Sequence, residues 1–538
     1  MSTLRQSNID KLPNTLYDVL IVGGGINGGV SAASLAAKGA KVALIDQADF
    51  AGSTSSNSSN LAWGGIKYLE NFEFRLVYKL CKSRNHLMRS YPSTVKEIRF
   101  LTSIQNGFRL PAWLVFLGTL LYWCMGHFFT RMPRYLSKKT IKKMQSIVDT
   151  DNVRGGFEYS DCYFYDNDAR FVFNFIRSSM SNGCVAANYV ELIKAEQQDG
   201  VWVSQLKDRI SGKPITVRSK TFINAAGPYV DEINKINQQP TQHHHVFSKG
   251  VHLIVKRLTE HNKVLTFFAD DGRLFFVIPM GPKTCIGTTD TQVSSPDSQV
   301  SAEDRAFILD NVNKLLDLPQ PLTEHDIIAE RCGVRPLAVE GTSDKADWVQ
   351  LSRKHAIDID TAQGYLSIFG GKLTDCLNVG DEVADLITQC GIKMPYPNHK
   401  WYGEPDDSVK NEFYHRAKLM GFDDLTPSNS TELLSQRFWR RYGRNALNML
   451  EQIRENPAMA EPIIEKSEYL RVEVEHATNR EMITKLEDFL RRRSKIALVI
   501  PHQDVISAPG LIAACKIFFG DQWQTKLQEY IDDHAAKN

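Results

Sequence analysis

The sequence predicts an α/β fold in which a first domain is interleaved with a mixed β-sheet domain and followed by a helical C-terminal domain. Three observations carry this. An apolar run, Tyr17 to Val22, enters the glycine cluster Gly23-Gly24-Gly25 and then a helix of small residues. Short β-rich runs recur after residue 130, at 201–203, 221–224, 252–255 and 274–278. Beyond about Tyr402 the pattern turns to charged helical periodicity.

Residues 1–108 open the first domain. Its leading 14 residues lack an apolar signal core, which predicts a cytoplasmic protein. In the glycine turn, Gly23 permits the bend, Gly25 lets backbone approach a pyrophosphate, and Gly28 lets the helix pack close to the strand. The helix N-terminus offers amides and a positive dipole end to phosphate. A second apolar run, 41–45, ends on Asp46, placed to accept from a ribose hydroxyl. Strand, turn, helix, strand and acid in that order make this a Rossmann-like dinucleotide site. Ser53, Thr54 and Ser55 follow in a polar stretch that supplies hydroxyls near the pyrophosphate.

Residues 109–150 form an apolar and basic segment. Positions 110–129 are nearly free of charge, and Arg131, Arg134, Lys138, Lys139, Lys142 and Lys143 follow. A spanning helix would split the surrounding domain. The open readings are a buried core helix and a surface helix that dips into one leaflet, its cations on anionic lipid. The second gives a docking segment on the inner face of the cell membrane.

Residues 151–400 combine the rest of the first domain with the mixed sheet, which is expected to cover the reactive end of the cofactor. The run Asn224-Ala225-Ala226-Gly227-Pro228 passes close to that cofactor. Strand, glycine pair and helix start recur at Tyr365 to Cys376, where Gly370 and Gly371 place a helix dipole near a reduced ring. Residues 401–538 are read as four helices, at 408–419, 430–455, 467–498 and 508–536.

Bulk properties exclude several classes. A hydrophobic fraction of 42% and a charged fraction of 23% are those of a globular protein, and a net charge of +2 gives no pull toward nucleic acid. Nine cysteines without a CxxC pair fit a reducing compartment.

Three glycine-rich strand ends spread over the first 375 residues suit FAD, extended through an interrupted domain, better than NAD. The motifs YDVLIVGGGINGG, STSSNSSN with GGIKYLE, GFEYSDC, NAAGP, KGVHLIV, FFVIP with CIGTTDT, CGVRPL and FGGKLTD follow one another in order over residues 17–380. In these the chain resembles the FAD-dependent, respiratory, membrane-associated glycerol-3-phosphate dehydrogenase family. The stretch LEDFLRRRSKIAL at 486–498 extends the resemblance more loosely into the helical tail. The family commonly carries K-L-x-H-G-G-x-R-Y-L, where this chain has Asn60, Trp63 and Lys67 in place of lysine, histidine and arginine. Lysine loses the bidentate fork of arginine, and tryptophan removes a titratable group.

The resemblance implies oxidation of sn-glycerol 3-phosphate to dihydroxyacetone phosphate, with hydride to FAD and electrons on to a membrane quinone. Such chemistry needs phosphate-binding cations and a base. Arg335, fixed before Pro336, matches a pair of phosphate oxygens, and the family's substrate arginine falls there. Lys372 follows the glycine pair, Lys67 is the third cation, and Tyr68 lines the same pocket. His252, on a β run facing the flavin, suits proton abstraction. His252, Arg335 and Lys372 are thus the catalytic set. Thr289 and Asp290 either line this pocket or cap a turn. For FAD the expected contacts are Gly23, Gly25, Gly28, Asp46, Ser53, Thr54, Ser55, Ala226, Gly227, Gly371, Leu373 and Thr374. The adjacent His243, His244 and His245 cannot all face one ion, so no metal is expected. The departures at Asn60, Trp63 and Lys67 keep open another small anionic alcohol as substrate, oxygen as acceptor, and a non-catalytic flavoprotein. A homodimer is also left open.

Overall fold

A computed structural model describes residues 3–269, 272–341, 355–428 and 430–535. Two sheets organise it. The first has a parallel core in the order Tyr365–Phe369, Pro214–Asn224, Leu16–Val22, Val42–Ile45, Val185–Ala187. Every side chain of Val42–Ile45 is buried, as expected for a parallel strand covered on both faces. Helices Ile26–Ala37, Asp168–Ser181 and Cys376–Gln389 contribute to the core on one face, where Val30, Ile176 and Val383 meet Val19, Ile21 and Leu44. The antiparallel strands Val190–Gln198 and Val201–Asp208 extend this sheet through Pro214–Asn224.

The second sheet is mixed. Its long strand His243–Lys256 pairs antiparallel with Ala329–Glu340 on one side and Lys283–Gly287 on the other. The register sets Ser248 opposite Arg335, and His252 opposite both Arg331 and Gly287. Among the described residues its parallel pair joins Lys263–Phe268 to Val95–Gln105.

The β-rich runs expected in a single covering sheet are therefore divided. Those at 201–203 and 221–224 belong to the first sheet, and those at 252–255 and 274–278 to the second. Periodicity marks a strand but says nothing of which partner it finds.

The helical tail is more broken than periodicity suggests. The run 430–455 divides at Gly443 into Leu434–Tyr442 and Asn445–Glu455, and 508–536 divides at Gly520. The run 467–498 becomes Arg471–Arg480, the turn Asp488–Arg493 and the short helix Ile496–Val499.

Buried ion pairs fasten this tail to the first domain. Arg492 and Arg493 both reach Asp49, Arg170 reaches Glu481, and Arg440 and Arg441 reach Asp166. Burial alone would raise the Asp49 carboxyl, but the Arg493 and Arg492 guanidiniums hold it below the usual carboxylate range. Losing one partner of such a pair strands a desolvated charge, at a cost of about 3–5 kcal/mol.

Residues 110–129 are a surface feature. Helix Ala112–Met125 ends at Gly126 after 14 residues, and Trp113, Leu114, Leu117 and Leu121 are exposed. Phe72, Phe74, Tyr78, Phe128 and Met132 are exposed as well, and Tyr78 packs on His127 just past the end of that helix. Among the described residues no helix is long and apolar enough to cross a membrane.

Candidate active site

The turn after Leu16–Val22 is built by contact as well as by conformation. A Cβ on Gly28 would lie 1.8 Å from the Gly23 carbonyl oxygen, and a Cβ on Gly23 would lie 2.4 Å from the carbonyl oxygen of Ala225. Only glycine at both positions lets the helix Ile26–Ala37 and the chain crossing at Ala225-Ala226 close on the same turn. Asp46 ends the second strand; its Oδ2 accepts from the Gly24 amide at 2.7 Å and its Oδ1 from the Ala48 amide at 2.8 Å. Each oxygen retains capacity for one further donor.

A cavity of about 280 Å³ opens over this turn, lined by Gly23, Gly25, Asp46, Ser53, Ala226 and Gly227. A second, of about 290 Å³, is lined by Trp63, Tyr68, His252, Phe276, Arg335 and Lys372. Ile26, Thr54, Ser55, Pro336, Gly370 and Gly371 border both, so the two form one continuous groove. A polar end over a helix N-terminus leading to an apolar, cation-bearing end is the shape an extended flavin dinucleotide requires.

The groove also holds unspent hydrogen-bonding capacity. His252 is buried on the groove wall, and neither ring nitrogen has a hydrogen-bond partner among the described residues. Buried polar atoms are rarely left so without a ligand to meet them. The backbone cradle and the orphaned imidazole both fit bound FAD with a substrate beside it.

Burial, then the charges of Arg335 and Arg331, push the His252 imidazole down to about 3. It is therefore neutral at physiological pH and able to accept a proton. An anion neutralising Arg335 removes one of the two charges that weaken it as a base.

Arg335 Nη1 donates to Asp290 Oδ1 at 3.2 Å and Ser248 Oγ at 3.4 Å, and Nη2 to Thr288 Oγ1 at 3.3 Å. Room for the guanidinium comes from Gly250, where a Cβ would lie 2.3 Å from Nη2. Lys372 Nζ donates to Tyr68 Oη at 2.9 Å and sits 4.4 Å from that ring's centroid. Thr289 Oγ1 accepts from the Val251 amide at 3.0 Å, holding the strand that carries His252.

Several expected contacts have structural partners. Ser55 Oγ accepts from the Ile26 amide at 3.1 Å, capping the helix that faces the pyrophosphate end. Thr54 Oγ1 donates to the Val334 carbonyl at 2.6 Å, tying the serine stretch to the strand of Arg335. Leu373 and Thr374 form a single 3-10 turn after Gly371, and Thr374 Oγ1 reaches the Trp63 carbonyl at 3.4 Å.

Lys67 stands apart. It is exposed and lines a separate cavity rather than the groove, so it is not gathered with Arg335 and Lys372. The six-residue 3-10 helix Ile66–Asn71 brings Tyr68 to the groove and leaves Lys67 outside. Asn60 is buried and structural: its Nδ2 donates to the Asp166 carbonyl at 2.6 Å and its Oδ1 accepts from Arg331 Nη1 at 2.6 Å. Of the three departures from the family stretch, Trp63 alone lies on the groove wall.

Several contributions escaped sequence reasoning. Thr288 and Ser248 hold Arg335, and Gly250 makes its space; a glycine inside a β pattern signals such an approach. Asn27 Nδ2 donates to the Gly370 carbonyl at 3.0 Å, locking the first and third glycine turns together. His245 Nε2 accepts from the Gly370 amide at 3.1 Å while Nδ1 faces Asp231 at 3.2 Å. His243 Nδ1 lies 2.7 Å from Asp358, so these two histidines of the triplet serve separate carboxylates.

Residues 18–376 match the model of the FAD dependent oxidoreductase family, and residues 413–520 that of the C-terminal domain of alpha-glycerophosphate oxidase. The chain is 31% identical over 506 residues to a glycerol-3-phosphate dehydrogenase of Pseudomonas aeruginosa, covering 91% of this chain and 94% of that one. It is 28% identical to the aerobic glycerol-3-phosphate dehydrogenase of Escherichia coli, covering 89% and 93%. In fold it is similar to the glycerol-3-phosphate dehydrogenase of Bacillus halodurans complexed with FAD, with a TM-score of 0.74, 22% identity and coverage of 100% and 98%.

Proposed function

We propose, since this chain belongs to the FAD-dependent glycerol-3-phosphate dehydrogenases, that it oxidises sn-glycerol 3-phosphate to dihydroxyacetone phosphate and passes the electrons to a membrane quinone. The observation that carries this reading is the convergence of Arg335, Lys372 and an unpartnered His252 on one groove wall.

Gly23, Gly25, Gly28, Asp46, Ser53, Ala226 and Gly227 hold the adenosine and pyrophosphate end of FAD, and Gly371, Leu373 and Thr374 border its ring end. Bound there, FAD supplies the acceptor for the hydride of the substrate's C–H bond. Arg335 and Lys372 bind and orient the phosphate, the first with a planar fork and the second as a point charge. Neutral His252 takes the hydroxyl proton as the carbonyl forms. Trp63 and Phe276, edge to face at 6.5 Å, keep water from the pocket.

The exposed apolar helix Ala112–Met125 and the nearby cations support docking on an anionic membrane surface, the place where a lipid-borne acceptor is met. Lys142 is paired with Asp317 at 3.0 Å, Arg131 lies 3.9 Å from Glu97 and Lys138 donates to the Asp151 carbonyl at 3.1 Å, so Arg134, Lys139 and Lys143 are the stronger lipid candidates.

The test is turnover with sn-glycerol 3-phosphate against glycerol. A phosphate site predicts dihydroxyacetone phosphate from the first and at least about 10²-fold lower kcat/KM for the second, the worth of about two charge-assisted hydrogen bonds. Equal rates would remove the phosphate from the reading.

A further inference from the structure

Lys372 hangs on a short turn that is fastened at both ends. On one side Gly370 is held by His245 and Asn27, and Gly371, at φ +105°, is the joint between it and Lys372. On the other side the 3-10 turn Leu373–Asp375 closes back on Lys372, whose carbonyl accepts from the Asp375 amide at 3.0 Å. The place of Lys372 in the groove therefore depends on what anchors Asp375.

The Asp375 carboxylate is anchored from three directions. Its Oδ1 accepts from Ser83 Oγ at 2.8 Å, on helix Phe74–Ser90, and from Asn378 Nδ2 at 2.6 Å, on helix Cys376–Gln389. Its Oδ2 lies 3.0 Å from His355 Nδ1. His355 directly precedes the strand Ala356–Asp360, whose first residue pairs with Phe369, next to Gly370. The other ring nitrogen of His355, Nε2, lies 2.8 Å from Glu382 Oε2, further along helix Cys376–Gln389. Ionised carboxylates only accept, so the ring bonds to both only with a proton on each nitrogen. The remaining charge facing this cluster among the described residues is Lys79, which acts on Glu382 from helix Phe74–Ser90.

We infer that His355 is a positioning residue for the reaction: as the cation between Asp375 and Glu382, it clamps the turn that presents Lys372 to the phosphate and Leu373 and Thr374 to the flavin ring. The inference rests on the proposed function, since it assigns a support to the same site. Burial alone would lower the imidazole, but the bonds to Asp375 and Glu382 raise it to about 9. In return the bond from His355 lowers the Glu382 carboxyl; burial would raise that of Asp375, but His355 lowers it too. The clamp is therefore closed at neutral pH and released as pH rises through about 9.

The test uses the full-length, FAD-loaded protein. Oxidation of sn-glycerol 3-phosphate is followed from about pH 7 to about pH 10, a span that brackets the imidazole, in the natural chain, His355→Gln and Glu382→Gln. Glutamine cannot carry the charge, so kcat/KM of His355→Gln should fall at least about tenfold at neutral pH, chiefly through KM. That gap should close above about pH 9, where the natural chain has lost the same charge. A role in packing alone would leave it constant. Glu382 is half exposed and does not line the groove. Its loss removes one of the two carboxylates that hold the proton, so the alkaline fall of kcat/KM in Glu382→Gln should begin at least about half a pH unit lower. A His355→Gln kcat/KM within about twofold of the natural chain at neutral pH, or a gap that stays constant with pH, would overturn the assignment. So would an alkaline fall left unmoved in Glu382→Gln, which reads the clamp even where His355→Gln fails to fold.

Thermal melting reads the clamp without turnover. A raised imidazole contributes stability that is complete below pH 6.5 and lost as pH rises through about 9. The Tm difference between the natural chain and His355→Gln should therefore shrink over that range, and a constant difference would overturn the clamp. A shrinking difference in protein whose flavin is not bleached by sn-glycerol 3-phosphate would instead place the failure in the proposed reaction.

Discussion

Replacing Arg335 with alanine isolates the phosphate contact. The side chain is about three-quarters buried, and its bond lengths of 3.2, 3.3 and 3.4 Å to Asp290, Thr288 and Ser248 are long for a charged donor. Its resting ion pair with Asp290 is partly solvated, a kind worth about 0–1 kcal/mol, so the variant should fold with little change in Tm. Binding a phosphate is different. Two charge-assisted hydrogen bonds at about 1.5–3 kcal/mol each, discounted for solvent reaching the site, give about 3–4 kcal/mol. That corresponds to a loss of about 10²–10³ in kcat/KM, and Asp290, left beside the phosphate, adds repulsion in the same direction. Most of the loss should fall in KM, because the contact is made before the reaction as well as during it. The assay is steady-state oxidation of sn-glycerol 3-phosphate by protein whose flavin content has been verified from its visible spectrum. Unchanged kcat/KM in flavin-replete protein would refute the assignment of Arg335 to the phosphate.

His252→Asn should slow anaerobic flavin reduction while leaving substrate binding nearly intact; a normal reduction rate would remove the histidine as base. The same variant tests its titration. Because the folded imidazole sits near 3 against an ordinary 6.5, its neutral form contributes stability that is complete above pH 6.5 and lost as pH falls from there toward 3. The fall in Tm between pH 7 and 5 should therefore be smaller in His252→Asn than in the natural chain; equal falls would contradict the shift. Gly28→Ala puts a Cβ 1.8 Å from a carbonyl oxygen, so it should lower stability by at least about 1–3 kcal/mol and release FAD; a stable yellow protein would show that the turn can shift. Paired substitution of Leu117 and Leu121 by aspartate should free the protein from anionic vesicles without altering flavin reduction; unchanged vesicle binding would move the lipid contact elsewhere.

The glycine turn was legible because its meaning lies in spacing along one short segment, and spacing survives without a structure. The same holds for Asp46, whose position follows from the length of the helix between two strands. Arg335 and His252 are separated by more than 80 residues, and each was singled out from its own chemistry, Arg335 from the resemblance as well; what brings them onto one wall is the long pairing of His243–Lys256 with Ala329–Glu340. Local sequence does not encode which strands pair, so the division of the β-rich runs between two sheets was not legible. Lys67 was misplaced for a related reason. Its place in the stretch where the resembling family carries an arginine put it beside the substrate, but the 3-10 turn it occupies gives its neighbour Tyr68 to the groove. The role of Asn60 was hidden as well, since its partners Asp166 and Arg331 are distant in sequence. The exposed helix 112–125 could be narrowed only to core or surface, because an unbroken apolar run has no polar face by which to choose.

The central claim is that one groove binds FAD and oxidises sn-glycerol 3-phosphate. It is tested most directly by the visible spectrum of the purified protein, recorded anaerobically before and after that compound is added. The structure and the family predict a flavin band that bleaches on addition. A flavin band that persists would contradict the substrate assignment, and the absence of any flavin band in folded protein would contradict the site itself.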